Sequence, residues 1–319
     1  MDMSPQPPLS PLLSHTGVED PEAPAAVRVE RPPQGPGRLV YASPHAGRHY
    51  PEDLGARLEV SLLRRLEDAH VDALLEGTAA RGATVVQGLY GRAYVDLNRD
   101  PLEFDPAMFA EALPPEARVR TARVAAGLGV IARYLAGGRE IYGRKLTLDE
   151  ARARIAAVHA PYHLALSQAL AAARAATGAA ILVDWHSMPS AAAAPGLLDD
   201  ATLPGRRPPD VVLGDRHGQA CAPALTDWME QQLVAAGLRV VRNHPYAGGY
   251  TTEIHGRPRD GCHALQVELS RGLYLDEARL APGPGLPRLR RLVARLTTDL
   301  AQAAATLVPS LTEAQETCP

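Results

Sequence analysis

The segment Ala180–Pro189 constrains the fold of this chain more than any other stretch. It opens with four apolar residues, continues through the stretch Asp184–Ser187, and ends at a proline. A short apolar run between turn residues predicts a strand buried on both faces of a parallel sheet. Open α/β sheets bind their ligands at the carboxyl ends of the strands, so His186 is a candidate metal ligand or catalytic base. The alternative is a strand-end histidine that only satisfies a backbone carbonyl.

Other short apolar segments alternate with helical patterns along the chain. Further strands are predicted at 38–42, 83–87, 93–97, 210–214, 238–241 and 264–269. Helices are predicted at 60–82, 223–237 and 287–307, and in a long Ala-rich segment that begins at a Thr147–Glu150 capping box and is interrupted near Pro161, while 105–140 is helical or mixed. This alternation predicts right-handed βαβ crossovers and an α/β fold with a mostly parallel central sheet.

The chain of 319 residues has the length of one large domain or two small ones. Residues 1–37 are rich in proline, serine and glycine and cannot bury enough apolar surface to offset their ordering entropy, so they predict a disordered tail. Residues 38–308 are predicted to form a single catalytic domain, and 309–319 a C-terminal tail.

Composition argues against several classes of partner. The 33 basic and 36 acidic residues nearly balance, and no basic run carries interleaved aromatics, so no nucleic-acid partner is expected. No apolar run approaches the roughly 20 residues that a membrane helix needs, and the N-terminus does not resemble a signal peptide. Three widely spaced cysteines suggest neither a disulfide framework nor a cysteine zinc site. A cytoplasmic protein with no membrane partner is therefore expected, of unknown oligomeric state.

Three predicted strand exits carry chemically useful side chains, namely His45, His186 and Glu268, and a fourth carries Asn98 and Arg99. A catalytic zinc ion needs about three histidine or carboxylate ligands and one open position. A separate carboxylate then serves as general base and acid. The residues therefore favour a site for Zn²⁺ or another divalent transition metal, although no compact metal motif is present.

Six motifs, in order along the chain, resemble the N-formylglutamate amidohydrolase family. They are Ser43–Gly47, Asp96–Pro101, Val183–Pro189, Leu213–Arg216, Pro245–Tyr250 and Gln266–Arg271. The resemblance extends from about residue 38 to about 300. It implies a zinc-dependent hydrolase with a three-layer α/β/α fold, similar to that of zinc carboxypeptidases and aspartoacylase-like deacylases.

The resemblance also implies roles for individual residues. His45 and His186 match the two histidine ligands, and Glu268 matches the general base. The segment that contains Asn98 and Arg99 matches the one that binds the substrate carboxylate. Arg92 is the best match for an arginine that polarises the scissile carbonyl, although its spacing is not identical.

The third metal ligand departs from the pattern of the wider superfamily. That ligand is usually a glutamate three residues after the first histidine, where this chain has Arg48. Asp68 is the favoured substitute because its segment would follow the first strand in space. Glu52 and Asp72 are the rivals.

Several candidates keep a plain structural alternative. Arg99 could pair with Asp96 or Asp100 instead of with substrate. Tyr250 and His255, which follow the glycine pair Gly248-Gly249, are candidate substrate contacts, and the segment 251–258 could serve as a lid. The remaining histidines are interpreted as structural or rim residues: His49, His70, His159, His163 and His217. Of these, His159 and His163 have a helical spacing that could bind metal, but Pro161 lies between them.

These interpretations lead to one preferred function. The chain is expected to hydrolyse the amide of a small anionic N-acyl amino acid, with N-formyl-L-glutamate as the leading substrate, giving formate and L-glutamate in histidine degradation. A peptide or peptidoglycan amidase of the same fold is one alternative. A catalytically silent binding protein is the other.

Overall fold

The computed structural model describes residues 24–135, 137–190 and 208–309. Of the predicted tails at 1–37 and 309–319, residues 1–23 and 310–319 lie outside the described residues. No helix in the described ranges is long and apolar enough to cross a membrane.

A seven-stranded sheet forms the centre of the fold. The strands of the chain are β1 (Val27–Glu30), β2 (Leu39–Ser43), β3 (Ala83–Gly88), β4 (Tyr134–Leu135), β5 (Arg139–Glu140), β6 (Ala180–Met188), β7 (Val211–Gly214), β8 (Val240–Arg242), β9 (Cys262–Ser270), β10 (Leu275–Asp276) and β11 (Ala281–Pro282). The order across the large sheet is β1-β3-β2-β6-β9-β7-β8, while β4 pairs with β5 and β10 with β11 in two small hairpins. Strand β2 is parallel to β3 and β6, and β6 is parallel to β9, so the mostly parallel sheet is confirmed.

Eight α-helices accompany these strands in the described part of the chain. They are α1 (Val60–Leu63), α2 (Val71–Leu75), α3 (Ala122–Ala125), α4 (Leu148–Arg154), α5 (Ala160–Thr177), α6 (Pro223–Ala235), α7 (Tyr250–His255) and α8 (Leu286–Leu307). Short 3₁₀ turns lie at Glu52–Leu54, Arg64–Leu66, Ala79–Arg81, Pro106–Met108, Pro258–Asp260 and Arg271–Leu273, and a π turn joins α4 to α5 at Ile155–His159.

Two hydrophobic cores lie on opposite faces of the sheet. In β2, Leu39 and Tyr41 pack into the core that includes residues of α2, α6 and α8. The alternate residues Val40 and Ala42 pack into the core that includes α5 and the 93–146 region. Because successive strand residues point to opposite faces, this division confirms the three-layer α/β/α arrangement.

The predicted helix at 60–82 is wrong as a single element. The structure breaks it into α1, α2 and two 3₁₀ turns, and His70 takes a left-handed φ of 63° just before α2. The amide of Asp68 donates a 2.9 Å hydrogen bond to the carbonyl of His45 instead of continuing a helical ladder. This bond ties the segment to the end of β2, so apolar periodicity alone overstates the helix.

The predicted strand at 93–97 is also wrong. Here a side chain forms a hydrogen bond with the backbone, because Asp96 Oδ1 accepts a 2.9 Å hydrogen bond from the Asn98 amide. The Asp96 amide donates to Val130 O at 2.8 Å, outside any ladder. Such local hydrogen bonds compete with sheet pairing and leave a turn. The 105–140 region, predicted as helical or mixed, is largely irregular apart from α3 and the β4–β5 hairpin.

Strand β1 lies inside the segment that was predicted to be a disordered tail. Val27–Glu30 pairs antiparallel with β3, in the register Val27 to Gly88. The prediction is therefore wrong for these four residues, because an edge strand gains its hydrogen bonds from a neighbour that composition cannot reveal. The predicted capping box is present: Thr147 Oγ1 accepts from the Glu150 amide, and the Glu150 carboxylate accepts from the Thr147 amide. The predicted interruption near Pro161 takes the form of the π turn.

Candidate active site

Two imidazoles and one carboxylate meet in a buried cluster at the carboxyl ends of β2 and β6. His45 Nδ1 lies 3.3 Å, and His186 Nδ1 3.0 Å, from the same atom, Asp68 Oδ2. The potential ligand atoms of these three residues all lie within 4.8 Å of one another. His45 lies two residues after the end of β2, and Asp68 lies in the turn that precedes α2. The structure therefore brings together the three residues that the sequence proposed as metal ligands.

The second nitrogen of each imidazole faces another carboxylate. His45 Nε2 lies 2.8 Å from Asp96 Oδ1, and His186 Nε2 lies 2.9 Å from Asp184 Oδ2. In metal sites such a carboxylate fixes the tautomer and orientation of the ligating ring. Both Nδ1 atoms are thereby left to face Asp68. Although burial alone would lower it, the carboxylates of Asp184, Asp68 and Glu268 raise the pKa of His186 well above its usual value.

Asp68 is held from both of its oxygens. While Oδ2 meets the two imidazoles, Oδ1 accepts a 3.2 Å hydrogen bond from Arg271 NH2, which also donates to Glu67 O at 2.6 Å. Burial would raise the pKa of Asp68, but the hydrogen bonds from His186 and His45 hold it well below its usual range. Asp68 is therefore an ionised carboxylate with a fixed orientation.

The two rival ligands lie elsewhere. Glu52 is exposed on the 3₁₀ turn Glu52–Leu54. Asp72 accepts a 2.8 Å hydrogen bond from Arg48 NH2, in an ion pair whose side chains are both about one-third exposed or more. Neither carboxylate belongs to the buried group of potential metal ligands, so the geometry favours Asp68.

Glu268 lies on the adjacent strand β9, beside the cluster formed by His45, Asp68 and His186. In the parallel register of β6 and β9, His186 pairs with Glu268 and Asp184 pairs with Gln266, so these four side chains share a face. Gln266 Nε2 donates a 2.9 Å hydrogen bond to Glu268 Oε1. Burial raises the pKa of Glu268 to about 7, against the lowering effect of His186. A carboxylate with this pKa can both accept and release a proton near neutral pH.

The two predicted arginines both lie next to Asp96. Arg92 Nε donates to Asp96 Oδ2 at 2.8 Å, and Arg99 Nε lies 3.8 Å from the same oxygen. Arg99 also donates to two backbone carbonyls, Leu128 O and Asn98 O, both at 3.0 Å. The predicted alternative, in which Arg99 pairs with Asp96, is therefore partly observed. The guanidinium still has further N–H groups that could bind a substrate.

Asn98 is tied into the protein more tightly than its predicted role requires. Its Oδ1 accepts from the Thr251 amide at 2.8 Å, and its Nδ2 lies 3.2 Å from His186 Nε2 and 3.4 Å from Gln266 Oε1. The loop before α7 passes directly over this side chain, since a Cβ on Gly249 would fall 2.2 Å from Asn98 Nδ2. Glycine at 249 is therefore required for this close approach.

Tyr250 and His255 flank two histidines, the buried His159 at the end of the π turn and the half-buried His163 on α5. His255 Nε2 lies 3.3 Å from His163 Nδ1, and the Tyr250 ring centroid lies 5.2 Å from that of His163. His163 Nε2 and His159 Nε2 lie within 2.9 Å of Leu97 O and Arg99 O respectively. These two histidines hold the main chain on either side of Asn98, in agreement with the structural interpretation given to them. His255 is buried, so the structure brings it against His163 and not into an open cleft.

Sequence reasoning missed the supporting contacts that four polar residues make with the cluster: Asp96, which it assigned only to a substrate-binding segment, and Asp184, Gln266 and Arg271. A usable signal existed for two of them. Asp184 precedes His186, and Gln266 precedes Glu268, by two residues in otherwise apolar strands, which places each pair on one face. The contact of Arg271 with Asp68 spans 203 positions of sequence and has no local signature.

The donor set is suited to a divalent transition metal. Imidazole nitrogen with carboxylate oxygen is the ligand chemistry of catalytic zinc sites. The carboxylates of Asp68, Asp96 and Asp184 contact the two imidazoles and favour positive charge at this point. The cluster of two imidazoles and a carboxylate lies at the strand ends of an α/β fold. Next to it is Glu268, a carboxylate with a pKa of about 7. This combination is typical of a metal-dependent hydrolase site.

Comparison with known proteins identifies the family of hydrolases to which the chain is similar. Residues 37–275 match the model of the N-formylglutamate amidohydrolase family. An N-formylglutamate deformylase from Pseudomonas aeruginosa is 32% identical over 244 residues, 75% of this chain and 82% of that protein. A deformylase of the same name from Pseudomonas putida is 29% identical over 249 residues, covering 76% and 84%.

A solved structure supports the same assignment. The crystal structure of N-formylglutamate amidohydrolase from Ralstonia eutropha JMP134 superposes with a TM-score of 0.81 at 35% identity, covering 88% of this chain and 99% of that one. The chain belongs to the N-formylglutamate amidohydrolase family, and it is an amidohydrolase.

Proposed function

We propose that this chain hydrolyses N-formyl-L-glutamate to formate and L-glutamate, with a zinc ion held by His45, Asp68 and His186. The observation that carries the proposal is the convergence of both Nδ1 atoms on Asp68 Oδ2 beside Glu268. Relatives named N-formylglutamate deformylase support the choice of substrate. When bound, such an ion supplies Lewis-acid chemistry, polarising a carbonyl and lowering the pKa of a water molecule.

Different side chains of the site carry out different steps of the proposed reaction. Glu268 takes a proton from the attacking water and later delivers it to the leaving nitrogen, which its pKa of about 7 suits. Arg92 stabilises the negative charge that develops on the formyl oxygen as water attacks the carbonyl carbon. Asp96 supports this step because it contacts both Arg92 and His45.

Arg99 is proposed to bind the α-carboxylate of the substrate. Its guanidinium is planar and retains N–H groups beyond those donated to Leu128 O and Asn98 O. The carbonyl contacts from His159 and His163 fix the main chain of this segment and so position Arg99 and Asn98. Tyr250 is proposed to border the substrate from α7, whereas the buried His255 contacts His163 instead. Histidine degradation and a cytoplasmic location are the expected setting and stay predictions.

Metal analysis combined with a formate-release assay tests this function. Purified protein should contain about one zinc per chain, lose activity when a chelator removes it, and regain activity on adding zinc back. N-formyl-L-glutamate should be hydrolysed, whereas a formyl-free glutamyl peptide should not. Metal-loaded protein that binds N-formyl-L-glutamate without releasing formate would instead indicate a silent binding relative.

A further inference from the structure

A third arginine, Arg123, lies near Arg99, which was placed with Arg92 close to the cluster of His45, Asp68 and His186. Arg92 and Arg99 both approach Asp96, and Arg123 lies close enough to Arg99 for their charges to interact. Burial is the main cause that lowers the pKa of Arg99, and the charges of Arg92 and Arg123 add to it. The proposed reaction uses Arg92 and Arg99 and leaves Arg123 without a function.

Local structure fixes Arg123 close to the Arg99 guanidinium. Arg123 lies in α3, whose first turn is capped by Thr121 Oγ1, which accepts a 3.1 Å hydrogen bond from the Val124 amide. The carbonyl of Arg123 accepts from the Leu128 amide at 2.8 Å, and Leu128 O in turn accepts from Arg99 Nε at 3.0 Å. Leu128 therefore joins the backbone of Arg123 to the head of Arg99.

The head of Arg123 keeps most of its donors free. Its NH2 group donates a long 3.4 Å hydrogen bond to Gly248 O, in the loop that passes over Asn98. Its NH1 group lies 3.8 Å from Glu103 Oε2, an ion pair that is too long for a hydrogen bond. The side chain is 36% exposed. This guanidinium makes no other hydrogen bond within the described ranges, and arginine has five N–H donors.

The substrate class proposed above carries two carboxylates and would need two cationic partners. A carboxylate that is removed from water is costly unless a charged hydrogen-bond partner compensates it. Arg99 supplies one such partner for the α-carboxylate. Arg123 is a second cation near Arg99, and it contacts the same loop that covers Asn98.

We propose that Arg123 binds the side-chain carboxylate of the substrate and so selects N-formyl amino acids with an acidic side chain. This inference rests on the proposed function of the site. Glu103 lies 3.8 Å from one side of the guanidinium, which leaves N–H groups that can bind a carboxylate. Arg123 is thereby a specificity-determining residue that takes no part in the bond-breaking step.

The test compares two substrates that differ only at the side-chain terminus, N-formyl-L-glutamate and N-formyl-L-glutamine. In Arg123→Gln, kcat/KM for the glutamate substrate should fall roughly 10- to 100-fold, the loss typical of one charge-assisted contact. Its kcat/KM for the glutamine substrate should change less than about threefold. Arg123→Lys should keep part of the preference, since it retains the charge but loses the planar fork.

Arg118→Gln is the matched control. Arg118 belongs to the same region, but its side chain is 49% exposed and pairs with Asp100. This variant should leave both kcat/KM values unchanged. A loss in Arg123→Gln that is equal for the two substrates, or a preference for glutamate that survives, would overturn the inference.

A binding measurement separates this inference from the proposed function. If metal-loaded wild-type protein releases formate from neither compound, the proposed function fails, and Arg123 is then judged on binding alone. L-Glutamate should raise the melting temperature of the wild type more than L-glutamine does, and Arg123→Gln should lose that difference. An equal shift with both amino acids in the wild type would reject the role of Arg123.

Discussion

Replacing Glu268 by glutamine should make the protein more stable and less active at the same time. The carboxylate is 8% exposed, and burial raises its pKa from 4.5 to about 7. Glutamine has nearly the same shape, carries no charge, and can still accept the hydrogen bond that Gln266 Nε2 donates. Glu268→Gln therefore removes a buried charge and leaves the surrounding contacts in place.

The size of the stability gain follows from the pKa. The folded state holds the Glu268 proton more tightly than the unfolded state, so this contribution to stability is complete below pH 4.5 and is lost as the pH rises through about 7. At about 1.4 kcal/mol per pKa unit, ionised Glu268 costs about 3 kcal/mol at pH 8. Glu268→Gln should thus be more stable than the wild type by up to about 3 kcal/mol at pH 8, and by less than about 1 kcal/mol at pH 5.

Urea unfolding of chelator-treated protein at both pH values measures this difference. The m-value should be the same for wild type and variant, so that the midpoints report stability. The exposed Glu116 provides the control, and Glu116→Gln should shift stability by less than about 0.5 kcal/mol at either pH. After metal loading, Glu268→Gln should lose about 10²- to 10⁴-fold in kcat. Equal stability gains at pH 5 and pH 8, or full turnover, would refute the reasoning.

Three further predictions concern the cluster and its surroundings. Asp68→Asn should lose bound zinc in metal analysis and lose activity, whereas Asp72→Asn should keep both. The reverse pattern would show that Asp72, and not Asp68, is the third ligand. Burial lowers the pKa of His255 to about 4, so its contribution to stability is present above pH 6.5 and is lost as the pH falls towards 4, about 3 kcal/mol in total. Thermal unfolding between these pH values should show a smaller loss in His255→Gln than in the wild type. Gly249→Ala should displace Asn98 and lower kcat/KM while circular dichroism stays unchanged, and an unaltered kcat/KM would contradict the close approach.

The strands that carry the site were predictable because their burial is complete. Strands β6 and β9 are buried along all nine of their residues, so each is an apolar run in which Asp184, His186, Gln266 and Glu268 stand out. A polar residue at such a position is costly unless it is paired or functional. That cost is what made His186 and Glu268 recognisable from the sequence alone.

The connections between strands were less predictable because side chains decide their course. The 60–82 segment has helical periodicity, yet Asp68 leaves the helical path to meet two histidines, one of them 118 positions away. The 93–97 segment has strand-like residues, yet Asp96 binds His45, Arg92 and its own backbone neighbour Asn98. Long-range contacts of this kind outweigh local propensity and have no periodic signal.

Asp96 illustrates why a matching motif did not fix every role. The motif assigned its segment to the substrate, but the structure directs Asp96 towards His45 Nε2 and Arg92 Nε. One carboxylate thereby contacts both an imidazole proposed to bind the metal and an arginine proposed to act on the scissile carbonyl. Because both contacts share this anchor, Asp96→Asn should weaken zinc binding and lower kcat together, by roughly 10- to 100-fold in affinity. A variant that lost turnover while its zinc affinity stayed unchanged would show that Asp96 serves the arginine alone.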